Sequence, residues 1–201
     1  GLKFDAGGIC VEVPGLDKVP PKAKVRRYPV AVKNRWVFVW MGDPERADTA
    51  QLPDNFSCEH PDWHHKPGYL HYDTNYLLIA DNLLDFSHLS YVHEKTLGGS
   101  TAIAQARPTI EPVPRGLRVS RFVTDVPPPP FYKRMREFTT NLDRHFVYDF
   151  LLPATLLMHS GGRPTGSAEA SGPQTVRLHS CQTLTPETEH STHYFFQQSV
   201  P

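Results

Sequence analysis

The stretch from Asp81 to His93 constrains the fold most, because it joins a helix-start signal, an apolar face and several polar side chains within thirteen residues. Asp81 is a candidate N-cap, since its carboxylate can accept the free amide protons of a first helical turn. The apolar residues that follow predict a core-facing stripe of Leu84, Leu89 and Val92. The stretch therefore predicts an amphipathic helix that packs on a hydrophobic core.

The polar side chains of this stretch are candidates for metal chemistry. Asn82, Asp85 and His88 follow one another at steps of three, so that neighbours lie close together on a helical surface. His93 comes five residues after His88, which on an ideal helix separates the two rings by about 140°. Both rings can face one ion only if the helix ends, tightens or bulges between them. Two imidazoles with a carboxylate suit a non-haem ferrous site, and Asp85 can also orient a liganding imidazole.

The order of residues around the histidine pair is more specific than their spacing. The series Asn82-Leu-Leu-Asp85-Phe-Ser-His88-Leu-Ser-Tyr-Val-His93 closely resembles the mononuclear-iron motif of Rieske non-haem iron oxygenases. Within that family it is most similar to the oxygenase components of vanillate O-demethylase, dicamba O-demethylase and toluenesulfonate methyl-monooxygenase. The resemblance implies that His88 and His93 are iron ligands. It further implies that Asp85 bridges to the cluster-binding histidine of a neighbouring subunit, and that Asn82 lies just outside the metal shell.

The resemblance also implies that further ligands lie outside the chain. In this family the third iron ligand is an Asp far beyond the second histidine, so the carboxylate ligand is expected beyond Pro201. The opening segment, Gly1-Leu2-Lys3-Phe4, resembles the sequence that follows the second cluster motif of a Rieske domain. The [2Fe–2S] cluster ligands, two Cys and two His, are therefore expected before Gly1.

The implied fold class is α+β: the C-terminal part of a Rieske β domain, then a helix-grip catalytic domain with a curved antiparallel sheet, truncated at both ends. Residues 1–43 are interpreted as the Rieske remnant, 44–57 as a linker, and 58–201 as the incomplete mononuclear iron domain. Alternating apolar residues from 102 onward predict mostly strands. A second helix is predicted within 133–142.

Short strands are also predicted within the Rieske remnant. Two runs that alternate between apolar and polar residues flank Asp5–Gly8 and predict a β-hairpin. Val25–Tyr28 and Trp36–Trp40 are further strand candidates.

Other histidine clusters give weaker metal candidates. Cys58, His60 and His64 are close enough in sequence for a structural zinc, but the surrounding prolines favour an irregular loop with solvated histidines. His190 and His193 precede a predicted strand, and residues three apart on a strand point to opposite faces. Neither set is favoured over His88 and His93.

Composition excludes several classes of function. The formal net charge of zero gives no electrostatic argument for binding nucleic acid or an anionic membrane. No apolar run approaches the roughly 18 residues of a membrane helix, and no secretory leader opens the sequence. Cys10, Cys58 and Cys181 are too widely spaced for a disulfide framework. A cytoplasmic protein is expected.

The family resemblance of the motif implies the oxygenase component of a Rieske non-haem iron monooxygenase acting on an aromatic substrate. The expected reaction is O-demethylation of a methoxy-aromatic acid or hydroxylation of a methyl group. Electrons are expected from NAD(P)H through a separate reductase, with or without a ferredoxin, to the Rieske cluster and then to mononuclear Fe(II), which activates O2. The resemblance also implies a homotrimer, in which Asp85 would bridge subunits. The alternatives are an aromatic-ring dihydroxylating dioxygenase and a non-enzymatic helix-grip ligand-binding module.

Overall fold

The structure, a computed structural model, describes residues 1–168 and 172–201. The chain divides into two compact units, Gly1–Leu52 and Pro53–Pro201. This division falls inside the segment 44–57 that the sequence analysis interprets as a linker. No helix among the described residues is long and apolar enough to cross a membrane.

The first unit contains short antiparallel strand pairs. Its strands are β1 Lys3–Phe4, β2 Cys10–Glu12, β3 Val30–Lys33 and β4 Trp36–Val39. The pairing of β1 with β2 confirms the predicted hairpin. In its turn, the Asp5 carboxylate accepts a hydrogen bond from the Ile9 amide at 2.9 Å. Gly8 has a φ of +78°, and a Cβ there would lie 2.8 Å from the Val25 carbonyl oxygen, so the turn requires glycine.

The strand predicted at Val25–Tyr28 is wrong. Val25 only donates its amide to the Gly8 carbonyl, at 2.8 Å, and no strand includes the run. Pro29 follows it and has no N–H for a strand ladder. β3 therefore begins directly after this proline, at Val30.

The second unit is dominated by a seven-stranded antiparallel sheet with the order β5-β11-β10-β9-β8-β7-β6 in the described part of the chain. Its strands are β5 His64–Tyr72, β6 Thr109–Val113, β7 Gly116–Val126, β8 Leu142–Leu151, β9 Thr155–Pro164, β10 Val176–Pro186 and β11 Thr192–Val200. The described residues also form α1 Tyr76–Leu84, α2 Ala102–Gln105 and α3 Pro130–Met135. A large antiparallel sheet with few helices confirms the predicted α+β class.

One face of this sheet, here called the inner face, carries the hydrophobic core. Side chains of β8 alternate between buried and half-buried positions, as expected when a strand has one covered face. The strands contribute buried core residues, namely Val119, Val123, Val126, Phe146, Tyr148, Leu156, Leu184 and Tyr194. The segment around α1 and α2 contributes Ile79, Ala80, Phe86, Leu89 and Ile103 to the same cluster. Burial of these side chains attaches the predicted motif to the sheet.

The opposite, outer face is partly covered by the loop that enters the second unit. The Ser57 hydroxyl lies 2.6 Å from Nδ1 of His179 on β10. The Phe56 ring packs 4.8 Å from the same imidazole, between ring centroids. Asn55 donates to the side-chain oxygen of Gln197 on β11 at 3.2 Å. These contacts bury His179 completely.

The start of α1 differs from the prediction. Asn75, rather than Asp81, is the N-cap, and its side-chain oxygen accepts a hydrogen bond from the Leu77 amide at 2.9 Å. Asp81 lies within the helix. The apolar residues before it are helical because Ile79 and Ala80 are buried in the core, and this tertiary burial outweighs the local capping preference of Asp81.

The helix predicted within 133–142 is also misplaced. α3 begins at Pro130, which suits a first helical position because its ring fixes φ and needs no N–H partner. The helix ends at Met135, and Leu142, which is fully buried, already begins β8.

The buried His179 makes stability depend on pH. Burial lowers the pKa of His179 to about 4, and the nearby His159 contributes in the same direction. Because this lies below the unfolded value of about 6.5, the unfolded chain binds more protons between the two values. We expect the free energy of unfolding to fall as the pH drops from about 6.5 towards about 4, measured by urea unfolding at a series of pH values.

The variant His179→Gln isolates the contribution of His179 to the pH dependence of stability. Burial also lowers the pKa of His145 and His159, so these residues should retain part of the pH dependence in His179→Gln. The variant should nevertheless show a shallower dependence than the unsubstituted protein. Equal slopes in the two proteins would contradict the role of His179.

Candidate metal centre

The chain leaves α1 at Asp85 and immediately begins a tighter helix. Asp85 has an extended backbone, with φ −85° and ψ 100°, and ends the α-helix after Leu84. Its carboxylate accepts hydrogen bonds from the Ser87 amide, at 2.7 Å, and from the Ser87 hydroxyl. This local bonding is typical of an Asx turn and competes with continuation of the helix. A 3-10 helix, Ser87–Ser90, follows.

This change of helix brings the two motif histidines together. The ring centroids of His88 and His93 lie 5.2 Å apart, and the rings meet edge to face at 67°. The backbone turns between them, with the Val92 amide donating to the His88 carbonyl at 2.8 Å. The sequence analysis required the helix to end or tighten before both rings could face one ion. Here α1 ends before His88 and the next turn tightens.

The hydrogen bonding of His88 fits a metal ligand. Its Nδ1 contacts the backbone carbonyl oxygen of Asp85. A carbonyl can only accept, so Nδ1 carries the proton and the Nε2 lone pair is available to a metal. The pair of imidazoles therefore suits a divalent metal that prefers nitrogen ligands. Within residues 1–168 and 172–201, no His, Cys, Asp or Glu completes a three-ligand group with His88 and His93.

Asp85 and Asn82 occupy different positions relative to this pair. One carboxylate oxygen of Asp85 lies 3.9 Å from His88 Nδ1, and 48% of the Asp85 side chain is exposed. Partial burial favours a higher pKa for the Asp85 carboxyl, but the Ser87 hydrogen bonds and the nearby His88 and Arg121 side chains bring that pKa below its ordinary value. The carboxylate is thus charged at neutral pH and accessible from solvent. Asn82 is exposed on α1.

Phe86 fixes the motif to the sheet. Its side chain is 4% exposed, and its ring stacks on Tyr148 at 5.4 Å and 17°. A second β8 ring, Phe146, lies 5.4 Å away in a tilted arrangement. Phe86 lies between Asp85 and the 3-10 helix, so this burial determines where the change of helix occurs.

Two buried arginines support the same region and were not singled out from the sequence. Arg144 is 2% exposed on the inner face and donates to the carbonyls of Leu97 and Gly98, each at 2.8 Å. Arg121 donates to the Ile103 carbonyl at 2.7 Å. Arg144 thus bonds the irregular backbone that follows His93, and Arg121 bonds α2 beyond it. Each arginine occupies an inward-facing position in a strand whose side chains alternate between the two faces of the sheet. This alternation is the only sequence signal that could have identified them.

The weaker zinc candidate does not assemble. Among the described residues, Cys58, His60 and His64 do not form a group with convergent ligand atoms. Cys58 is 2% exposed, whereas His60 faces solvent beside Asp62. His64 already belongs to β5. The histidines are therefore interpreted as solvated. The irregular loop that the prolines favour ends before His64, where β5 begins.

The packing of Phe86 yields a stability prediction. Phe86→Ala should reduce the free energy of unfolding by about 3 to 5 kcal/mol, since a buried aromatic ring is replaced by a cavity. Phe86→Leu retains most of the apolar volume and should lose considerably less. Both values can be measured by urea denaturation. Unchanged stability of Phe86→Ala would contradict the role of this ring as an anchor.

Sequence comparisons identify relatives of the chain. Residues 72–201 match the family described as vanillate O-demethylase oxygenase C-terminal domain. The chain is 42% identical over 205 residues to the iron-sulfur subunit of a toluene-4-sulfonate monooxygenase system from Comamonas testosteroni, covering 99% of the chain and 59% of that protein. It is 32% identical over 201 residues to the oxygenase component of dicamba O-demethylase from Stenotrophomonas maltophilia, covering 99% and 58%. The chain thus spans about three fifths of the length of these relatives.

Solved structures agree with this relationship. The crystal structure of dicamba monooxygenase bound to 3,6-dichlorosalicylic acid matches with a TM-score of 0.88 and 30% identity, covering 100% of this chain and 58% of that one. The structure of dicamba monooxygenase with non-haem iron and dicamba matches with a TM-score of 0.77 and 28% identity, covering 100% and 56%. These likenesses confirm the predicted catalytic-domain fold and the family resemblance. The chain therefore belongs to the vanillate O-demethylase oxygenase C-terminal domain family, within the Rieske oxygenases.

Proposed function

We propose that this chain is part of the oxygenase component of a Rieske non-haem iron monooxygenase that acts on an aromatic substrate. The observation that carries the proposal is the convergence of His88 and His93, 5.2 Å apart between ring centroids, at the end of α1. The names of the relatives support the reaction class, since they include a toluene-4-sulfonate monooxygenase system and an O-demethylase.

His88 and His93 would hold a mononuclear Fe(II) in this proposal. A carboxylate from sequence beyond Pro201 would provide the third protein ligand. Iron with two imidazoles and one carboxylate keeps open coordination positions and supplies activation of O2. The Asp85 carbonyl fixes the tautomer of His88, so that Nε2 can be a ligand without first losing a proton.

Asp85 is proposed to carry electrons across a subunit boundary. Its carboxylate is charged, partly exposed and 3.9 Å from His88 Nδ1, so it can accept a hydrogen bond from a cluster-binding histidine of a neighbouring subunit. Such a route requires an oligomer, and a homotrimer is proposed. Asn82, exposed on α1, would lie just outside the metal shell.

The other components follow from the same proposal. Residues 1–43 would end a Rieske domain, 44–57 would form a linker, and the [2Fe–2S] ligands would come from sequence before Gly1. NAD(P)H would supply electrons through a separate reductase, with or without a ferredoxin. Among the described residues, Cys10, Cys58 and Cys181 are not joined in disulfides, which supports a reducing compartment such as the cytoplasm.

Two reactions fit the relatives. Oxidative O-demethylation would combine an aryl methyl ether of an aromatic acid with O2, two electrons and two protons. Hydroxylation of the methyl carbon gives a hemiacetal that separates into a phenol and formaldehyde, and the second oxygen atom leaves as water. Hydroxylation of a ring-bound methyl group has the same balance and yields an alcohol. The 42% identity to a toluene-4-sulfonate monooxygenase subunit gives this second reaction particular support.

Two alternatives remain as outcomes of experiment. A ring dihydroxylating dioxygenase would place both atoms of labelled O2 in a dihydrodiol. A monooxygenase would place one atom in the alcohol or, after O-demethylation, in formaldehyde. A helix-grip binding module without catalysis would purify without iron.

Metal analysis of the full-length protein tests the proposal first. We expect about three irons and two acid-labile sulfides per subunit, with a Rieske-type electron paramagnetic resonance signal after reduction. His88→Ala and His93→Ala should each lose about one iron and keep the signal, because only the mononuclear site is affected. His60→Ala, an exposed histidine outside the motif, is the matched control. Full iron content in both motif variants would refute the assignment.

Asp85→Asn tests the electron route separately. The amide keeps the shape of the carboxylate but loses its charge, so iron should remain bound while reduction of the mononuclear site by the reduced cluster slows by at least tenfold (about 1.4 kcal/mol in the barrier). Single-turnover kinetics under O2 would measure this rate. Glu111→Gln, an exposed carboxylate on β6, is a control that should react normally. Turnover of Asp85→Asn at the unsubstituted rate would exclude the bridging role.

A further inference from the structure

A second group of metal-binding side chains lies on the outer face of the sheet, away from the motif. His71 on β5 and His193 on β11 are direct cross-strand partners. The neighbouring Tyr194 is buried in the inner-face core, so His193 points to the opposite face. Glu187, in the turn between β10 and β11, reaches the same place. The proposed oxygenase chemistry uses none of these three side chains.

The ligand atoms of this group converge. His71 Nε2 lies 2.8 Å from one carboxylate oxygen of Glu187, and His193 Nε2 lies 3.7 Å from the other. One potential ligand atom from each residue lies within 4.8 Å of the other two. The imidazole centroids are 5.1 Å apart. The side chains are 33% to 46% exposed, so an ion can enter from solvent without disturbing the core.

Each histidine has a partner on its other nitrogen. The Tyr69 hydroxyl lies 2.8 Å from Nδ1 of His193, and an Asp73 carboxylate oxygen lies 3.8 Å from Nδ1 of His71. The Tyr69 contact is a hydrogen bond of the kind that fixes the ring orientation of many metal-binding histidines, whereas the Asp73 oxygen is too far from His71 for a hydrogen bond. Here both Nε2 atoms are directed at Glu187.

The carboxylate is also prepared for an ion. One oxygen of Glu187 accepts a hydrogen bond from the Ser191 hydroxyl at 3.0 Å. Hydrogen bonds from His71 and Ser191 lower the pKa of Glu187. One carboxylate and two imidazoles form the ligand set of many zinc sites, in which water takes the fourth position.

We propose that His71, Glu187 and His193 bind Zn²⁺ on the outer face, separately from the His88/His93 centre. The ion would replace the His71–Glu187 hydrogen bond and join β5, β11 and the turn between β10 and β11. That turn is already linked to the entry of α1, because Asn75 donates to the Glu189 carbonyl at 3.0 Å while capping the helix. Zinc would therefore stabilise the connection that leads into the motif helix. This site does not depend on the proposed oxygenase function.

Titration of iron-loaded, full-length protein with Zn²⁺ by isothermal calorimetry tests the site. The unsubstituted protein should bind one more zinc per subunit than His71→Ala or His193→Ala. His190→Ala, an exposed histidine of the same turn that lies outside the group, should bind zinc normally. His88→Ala should also retain the outer-face binding event. If His88→Ala alone removed it, zinc would be occupying the motif site and the proposal would be overturned.

A conservative substitution tests the organisation of the site. Tyr69→Phe removes only the hydroxyl that orients His193, and should weaken zinc binding by about 10- to 100-fold. Circular dichroism checks that each variant is folded. Zinc should raise the melting temperature of the unsubstituted protein and of His190→Ala, but not of His193→Ala. Equal zinc affinity and equal thermal response in all variants would refute the site.

Discussion

The burial of Phe86 against β8 is the interaction on which the motif depends. It holds the short segment between α1 and the 3-10 helix on the sheet, with the ring stacked 5.4 Å from Tyr148. The Asp85 carboxylate cannot bond to Ser87 in this way unless the α-helix stops here. Local hydrogen bonding and core packing therefore both end α1 at the same point in the chain, and this ending brings His88 and His93 together.

On the inner face of the sheet, a charged side chain within the hydrophobic core supports this irregular backbone. Carbonyl groups that leave regular structure must find donors when they are buried. Arg144 supplies two such donors to Leu97 and Gly98, and its guanidinium lies over the Phe146 ring at 4.8 Å. One charged side chain thus donates to the carbonyls of the turn after His93 and packs on Phe146, which in turn contacts the anchoring ring of Phe86.

The two faces of the same sheet present histidines in different chemical settings. On the outer face, His179 is fully buried under the entering loop and its pKa is about 4, so it is a neutral structural residue. His71 and His193, farther towards the β5 edge, stay accessible and share a carboxylate. Burial and partners, rather than residue type, separate a structural histidine from a candidate ligand.

Sequence by itself determined the features that are encoded locally: the order of the metal motif, the need for the helix to end, tighten or bulge between His88 and His93, and the alternating strands of an antiparallel sheet. The N-cap at Asn75 and the length of α3 were not predicted from sequence, because burial of distant side chains decides where a helix begins and ends. Only tertiary structure decided which strands pair. His71 and Glu187 are 116 residues apart, and no periodicity within either segment specifies their contact. Such contacts depend on strand register and on burial, which are properties of the folded chain as a whole.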